Sequence, residues 1–369
     1  MSTEEIKAAV SACNQFTQNL YRQTIKKAPK DKNALLSGIS LARALAVVAL
    51  GSPLGDTTKE IQACFGCQNE SDLNNLIATA HQKCSASGVF VNKTTIHQQL
   101  TDEVQHEIAF QNLDFKEDAA QIINEWVKQK TGNKTDQIVT AREIENIGMS
   151  LLICADHFSG IWQNKFYSGN TEKRLFYLDG SYNGSKASVN YLNTFKSKFR
   201  ITNFCRLNAT ALEMPFEDET SMVFLLPNNG RGFKLMERKL KCIDLFKTLT
   251  FPKEKVMLDM VSVPKFKPCS TFMPKQLLKD LGIKTLFRPN KKSSEMSISD
   301  IKQKTSISWK HEEEEMTPLA NDITDNQAGR QLNVFLCERP FIYLIRSNTS
   351  GLILFIGRCV NPAEQVYKI

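Results

Sequence analysis

The sequence predicts an α+β fold, a helical N-terminal part followed by a strand-rich C-terminal part, in a single domain over residues 1–369. Three observations predict it. The first sixty residues carry apolar side chains at helical spacing among strong helix formers. From about residue 150 the pattern turns to short apolar runs bounded by turn residues. No low-complexity linker separates the two regions.

Along the chain, Asn14, Phe16, Leu20 and Tyr21 make one face of a first helix. Ser40 to Leu50 is rich in strong helix formers and is stopped by Gly51 and Pro53. Thr57-Thr-Lys-Glu60 reads as a capping box that opens another short helix. Residues 119–130 give an amphipathic helix with Ile122, Ile123, Trp126 and Val127 on its face, ended by Gly132. Met149 to Ala155 is continuously apolar, as in a strand covered on both faces. Ser221–Pro227, Val256–Val263 and Leu352–Gly357 are further strands, and residues 274–282 form one late helix.

Composition is that of an ordinary globular chain, with 41% hydrophobic and 23% charged residues. No run of about eighteen apolar residues is present, so no membrane span is expected. The net charge of +8 is spread along the chain. Its densest clusters, Lys26-Lys27 with Lys30 and Lys32, and Lys291-Lys292, lack interleaved aromatics for stacking on bases. A solvated basic surface, with no nucleic-acid partner, is the reading.

Ten cysteines at irregular spacing do not form a disulfide framework, and Cys64-Phe-Gly-Cys67 is a lone pair without a second ligand set. Reduced thiols, no metal and no cofactor are therefore expected. The N-terminus begins acidic and lacks the basic start and apolar block of a secretory signal, while six Asn-x-Ser/Thr sequons lean toward an extracellular setting. No P-loop, dinucleotide fingerprint, HExxH or GxSxG occurs, and the five histidines lie apart. An enzyme is not indicated.

Several stretches together resemble the serpin family, over nearly the whole chain. Asn33-Ala-Leu-Leu-Ser-Gly-Ile-Ser-Leu41 and Thr57-Thr-Lys-Glu-Ile61 look like the segment entering the family's helix B. Ile123-Asn-Glu-Trp-Val127 with Thr131-Gly-Asn-Lys134 is similar to helix F. Phe158-Ser-Gly160, Trp162 and Phe166 resemble the end of strand 3 of sheet A and the breach tryptophan. Met214-Pro215-Phe216, Val263-Pro-Lys-Phe-Lys267, Arg339-Pro340-Phe341, Phe355-Ile-Gly-Arg358 and Asn361-Pro362 continue the match in order.

The resemblance implies the serpin fold, with three β-sheets, about nine helices and an exposed reactive-centre loop near residues 312–333. It implies a monomer that is cut by a target protease and then inserts the loop as a new strand. Arg330 is the only basic residue between Glu315 and Arg339, so Gly329-Arg330-Gln331 is the expected reactive centre and a trypsin-like serine protease the expected partner. Counting back from Arg339-Pro340-Phe341 leaves a second register open, near Gln327–Gly329.

With Arg330 as bait the hinge comprises Glu314, Glu315, Met316, Thr317 and Pro318. On insertion Thr317, Leu319, Asn321 and Ile323 share one face. Met316 stands where the family has Gly, and Pro318 removes a strand donor, which points to a non-inhibitory binding or carrier protein as the alternative. Shutter and breach positions map to Asn33, Ser37, Ser40 and Trp162, with Gly38 in place of the usual Pro and with Cys154 and Gln303 in place of the hydrogen-bonding Asn and His. The segment between Glu60 and Val89 is about fifteen residues shorter than the family pattern, shortening helix D, so heparin activation through that helix is not expected.

Overall fold

The computed structural model describes residues 1–51, 55–80, 85–93, 107–164, 166–167, 173–288, 296–310, 313–314, 332–364 and 366–368. Among them are nine α-helices: α1 (Thr3–Lys27), α2 (Gly38–Leu50), α3 (Asp56–Phe65), α4 (Glu70–Thr79), α5 (Ala119–Lys130), α6 (Ala141–Glu145), α7 (Phe233–Leu240), α8 (Leu245–Thr248) and α9 (Lys275–Asp280).

The strands form three sheets. A six-stranded sheet runs in the order β17 (Val366–Lys368), β11 (Cys269–Phe272), β12 (Asp300–Lys310), β4 (Ser150–Ile161), β2 (Ser85–Asn92), β3 (Ala109–Leu113). A nine-stranded sheet runs β1 (Ala34–Leu36), β16 (Ile353–Cys359), β15 (Phe341–Ser347), β9 (Thr220–Pro227), β8 (Ala209–Pro215), β7 (Lys186–Phe204), β10 (Val256–Pro264), β14 (Val334–Leu336). In that sheet β6 (Lys173–Tyr177) also pairs with β7, and β13 (Glu313–Glu314) pairs separately with β5 (Phe166–Tyr167). The α+β class holds, but the two halves are less segregated than the sequence pattern implies. The first three strands come from the helical half, and α7 to α9 lie among the later strands.

Apolar patterning explains the layers. In α2, eleven of thirteen residues are buried, and its alanines let neighbouring elements approach closely. The unbroken apolar run at the start of β4 serves two cores at once. Leu152 and Cys154 join the core with α1 and α2, while Leu151, Ile153 and Ala155 pack with Ile123 and Val127 beneath α5. A strand covered on both faces has no need of polar alternation.

Two local expectations change. The Thr57–Glu60 capping box does not form, because α3 begins two residues earlier, behind Gly55. The Glu60 carboxylate instead accepts bonds from the backbone of Lys284 and Thr285 and from Thr285 Oγ1, at 2.6–2.8 Å, and fixes that distant turn. On α5, Ile122 points to solvent at 42% exposure, while Trp126 meets Phe90 edge-on at 5.3 Å.

Candidate functional site

The chain leaves β12 at Lys310, and Glu313 and Glu314 pair with Phe166 and Tyr167 of β5. It is described again from Leu332, where β14 runs parallel to β10. Of the hinge residues Glu314 is thus placed opposite Tyr167, beyond the end of β12. Glu315, Met316, Thr317, Pro318, Gly329, Arg330 and Gln331 lie outside the described residues.

Strand β12, which leads toward Glu313, forms one side of a seam in the six-stranded sheet. Strands β4 and β12 are parallel and pair directly, from Leu151 opposite Asp300 to Ile161 opposite Lys310. Any strand inserted here must first part them.

Side chains tie the seam at three levels. At its lower end Ser150 Oγ donates to the Ser297 carbonyl at 2.7 Å and accepts from the Ser299 amide at 3.1 Å. At its centre Asp156 is fully buried. Its carboxylate accepts from Ser40 Oγ of α2, from Ser85 Oγ of β2 at 2.8 Å and from Gln303 Nε2 of β12 at 3.2 Å. Gln303 Nε2 also reaches the Ser37 carbonyl at 2.7 Å and Ser40 Oγ at 3.0 Å. Above it, on the opposite face, His157 bridges to Ser306 Oγ at 2.8 Å and Ser308 Oγ at 3.0 Å.

The two adjacent titratable groups are driven in opposite directions. Burial pushes the Asp156 carboxyl up to about 6, against the Ser40, Ser85 and Gln303 bonds that favour its charge. Burial, then the nearby Lys134, bring the His157 imidazole down to about 4. Both shifts follow from taking a charge out of water without an opposite charge beside it.

The expected shutter therefore needs correction. Ser37, Ser40 and Gln303 converge there, but Cys154 does not act as the polar partner. Its thiol meets only Ser87 Oγ, at 4.0 Å. Asp156, two residues further along the same strand, fills that role. A lone carboxylate interrupting the buried run Leu151-Leu-Ile-Cys-Ala-Asp-His-Phe158 is the signal that could have found it.

Asn33 is also placed differently. It clamps the C-terminal turn, donating to the Asn361 carbonyl at 2.6 Å and accepting from the Val360 and Asn361 amides at 2.6 and 3.0 Å. Trp162 is buried at the upper end of the seam, stacked on Phe216 at 4.1 Å and tilted against Trp309 at 5.9 Å.

Gly38, in place of a proline, has a steric reason. A Cβ there would lie 2.2 Å from Thr17 Oγ1 and 2.7 Å from Thr17 Cα. Gly38→Ala is expected to destabilise the protein by about 1–3 kcal/mol through overpacking, read as a lower urea midpoint at unchanged slope.

Two further expectations concern thiols and helix α4. The Cys64 and Cys67 thiols are raised by burial to about 12 and about 11, opposite to the shift that a reactive pair requires. The residues Glu70–Thr79 of α4 include no lysine or arginine, and Glu70 and Asp72 make its first turn acidic.

The family model for Serpin (serine protease inhibitor) matches residues 11–362. Human antithrombin-III is 28% identical over 95% of this chain and 81% of its own length. Leukocyte elastase inhibitor of Bos taurus is 27% identical over 96% of this chain and 99% of its own. The crystal structure of Serpin48, a highly specific serpin of the insect Tenebrio molitor, superposes with a TM-score of 0.79 at 26% identity, covering 98% and 99% of the two chains. The chain belongs to the serpin family. Family membership supports protease inhibition as its activity, and nothing indicates catalytic turnover.

Proposed function

We propose that the protein is a suicide-substrate inhibitor of trypsin-like serine proteases, with Arg330 as the residue before the cleaved bond. The protease serine Oγ attacks the Arg330 carbonyl carbon, the bond to Gln331 breaks, and the Gln331 amine leaves with a proton. An ester then joins the protease to Arg330. The observation that carries the reading is the directly paired β4–β12 seam, with the loop stem leaving the end of β12. A strand doubling back from β12 runs antiparallel to both neighbours. Insertion thus replaces one parallel pairing with two antiparallel ones, which are the more stable per residue. The relatives named as inhibitors support the same activity.

The bait's polarity supports the protease class. Arg330 is the one cation in the loop between Glu315 and Arg339, and a trypsin-like pocket holds a carboxylate to receive it.

The alternative, a non-inhibitory binding or carrier protein cut at the same loop, is favoured by two observations. Pro318 lacks a strand donor, and the seam carries polar ties at three levels that insertion has to break. Incubation with trypsin followed by a denaturing gel separates the readings. A complex of summed mass is expected, and clipped chain beside free protease refutes inhibition. A thermal melt before and after clipping is expected to show a large rise in stability, and an unchanged melt means the strand does not insert.

A further inference from the structure

We propose that the cleft between the start of α7, the turn after β6 and the segment following β16 is a binding site for a small amphipathic anion, a phosphate monoester with an apolar body. Its volume is about 760 Å³, within the range of about 300–1,000 Å³ usual for sites that take small organic ligands. None of its described lining residues belongs to the loop, so the site stands independently of the inhibitory reading.

Backbone packing builds one wall. A Cβ on Gly180 would overlap the Gly230 carbonyl, and a Cβ on Gly230 would overlap the Gly180 carbonyl. Glycine at both positions lets the turn after β6 meet the turn that opens α7, and this brings Leu178 and Arg231 to the same cleft. Arg231 Nη2 spans that contact and donates to Ser181 Oγ at 3.2 Å.

Two buried side chains fix the other walls. Arg358, fully buried, donates to the Pro29 carbonyl at 2.5 Å and to the Lys32 carbonyl at 2.9 Å, which holds the turn carrying Lys30. Asn33 donates to the Asn361 and Glu364 carbonyls at 2.6 and 3.2 Å and holds the segment after β16. Phe233, Pro340 and Val360, all buried, give the cleft its apolar lining. Walls held in this way lose little conformational freedom when a ligand enters.

The charges select the ligand's sign. Both Glu237 oxygens accept from Arg358 Nη1, at 3.0 and 3.3 Å, and Glu364 pairs with Lys32 at 3.0 Å. The Asp179 carboxylate folds back over its own turn, accepting from the Ser181 amide at 3.0 Å and lying against Gly184. Lys30, Arg231 and Lys234 make no ion pair among the described residues, and Asp31 is the one described lining acid left unengaged. Three cationic donors around one apolar cleft suit a phosphate monoester, which presents three acceptor oxygens and about two negative charges at pH 7.

Calorimetric titration of the full chain with naphthyl phosphate tests the site. One-to-one saturable binding is expected at or below about 1 mM. It should be at least about tenfold tighter than for naphthol, which lacks the charge, or inorganic phosphate, which lacks the apolar body. Lys30→Ala and Lys234→Ala are each expected to weaken it about tenfold. Arg238→Ala, on α7 but outside the cleft, should leave it unchanged. All three positions are exposed, so the substitutions spare the core. Absence of saturable binding overturns the site, and so does equal weakening by Arg238→Ala or no weakening by either lysine variant. Naphthol bound as tightly as its phosphate overturns recognition by charge, and naphthoate bound more tightly overturns the choice of phosphate.

Discussion

Arg330→Ala is expected to abolish complex formation with trypsin while leaving the fold untouched. Arg330 lies outside the described residues, and the melting temperature of the variant checks the fold separately. What the substitution removes is the charge that fills the protease pocket. Truncating one member of a buried, hydrogen-bonded charge pair costs about 2–5 kcal/mol, which is a loss of about thirtyfold to several thousandfold in the rate of attack. The check is the rate of complex formation with trypsin, alongside an unchanged melting temperature. Retained inhibition refutes the assignment of Arg330, and inhibition moved to a different protease class locates the bond in the register near Gln327–Gly329.

The second large effect concerns Asp156. Its folded pKa of about 6 lies above the ordinary 3.8, so between about pH 4 and pH 6 the native state keeps a proton that the unfolded chain has released. Stability from this group therefore falls as the pH rises through that window, and above it the full cost is present. A difference of about two units corresponds to about 3 kcal/mol as an upper bound. His157 works in the opposite sense. Its folded pKa is depressed to about 4, so its contribution is complete above about pH 6.5 and is lost as the pH falls. The wild-type profile across the window is thus expected to be nearly flat, each end carrying one penalty.

Asp156→Asn keeps the shape and removes the charge. It is expected to raise the urea midpoint at pH 7.5, to leave it unchanged near pH 4, and to expose the acid-side slope due to His157. A variant with the wild-type profile at both pH values refutes the buried ionised carboxylate. Because Asp156 bonds Gln303 across the seam, the same variant tests whether that charge is part of what keeps the seam ready to open.

How much was legible beforehand depended on the range of the interactions. Helix α2, its stop at Gly51, and the strands near Val256 and Leu352 follow from neighbours within a few residues, and they lie where the sequence puts them. Glu60 was misread because the sequence offered a nearby capping partner, whereas its real partners lie 224 and 225 positions away. Ser37 and Ser40 were expected near the seam, but the carboxylate that Ser40 meets there was not. Nothing local tells an aspartate in a buried strand whether donors will meet it from three other elements.

The sequence by itself determined the ordered series of segments that mark the family and the lone arginine between Glu315 and Arg339. Those properties reside in residue types and spacings along one chain. Only the tertiary structure decided that β4 and β12 lie paired, that Asp156 and His157 tie them from opposite faces, and that Asn333 is bonded to Met257 and Asp259 of β10. Each of these joins residues about 75 to 150 positions apart, and only packing of the whole chain brings such residues within hydrogen-bonding reach.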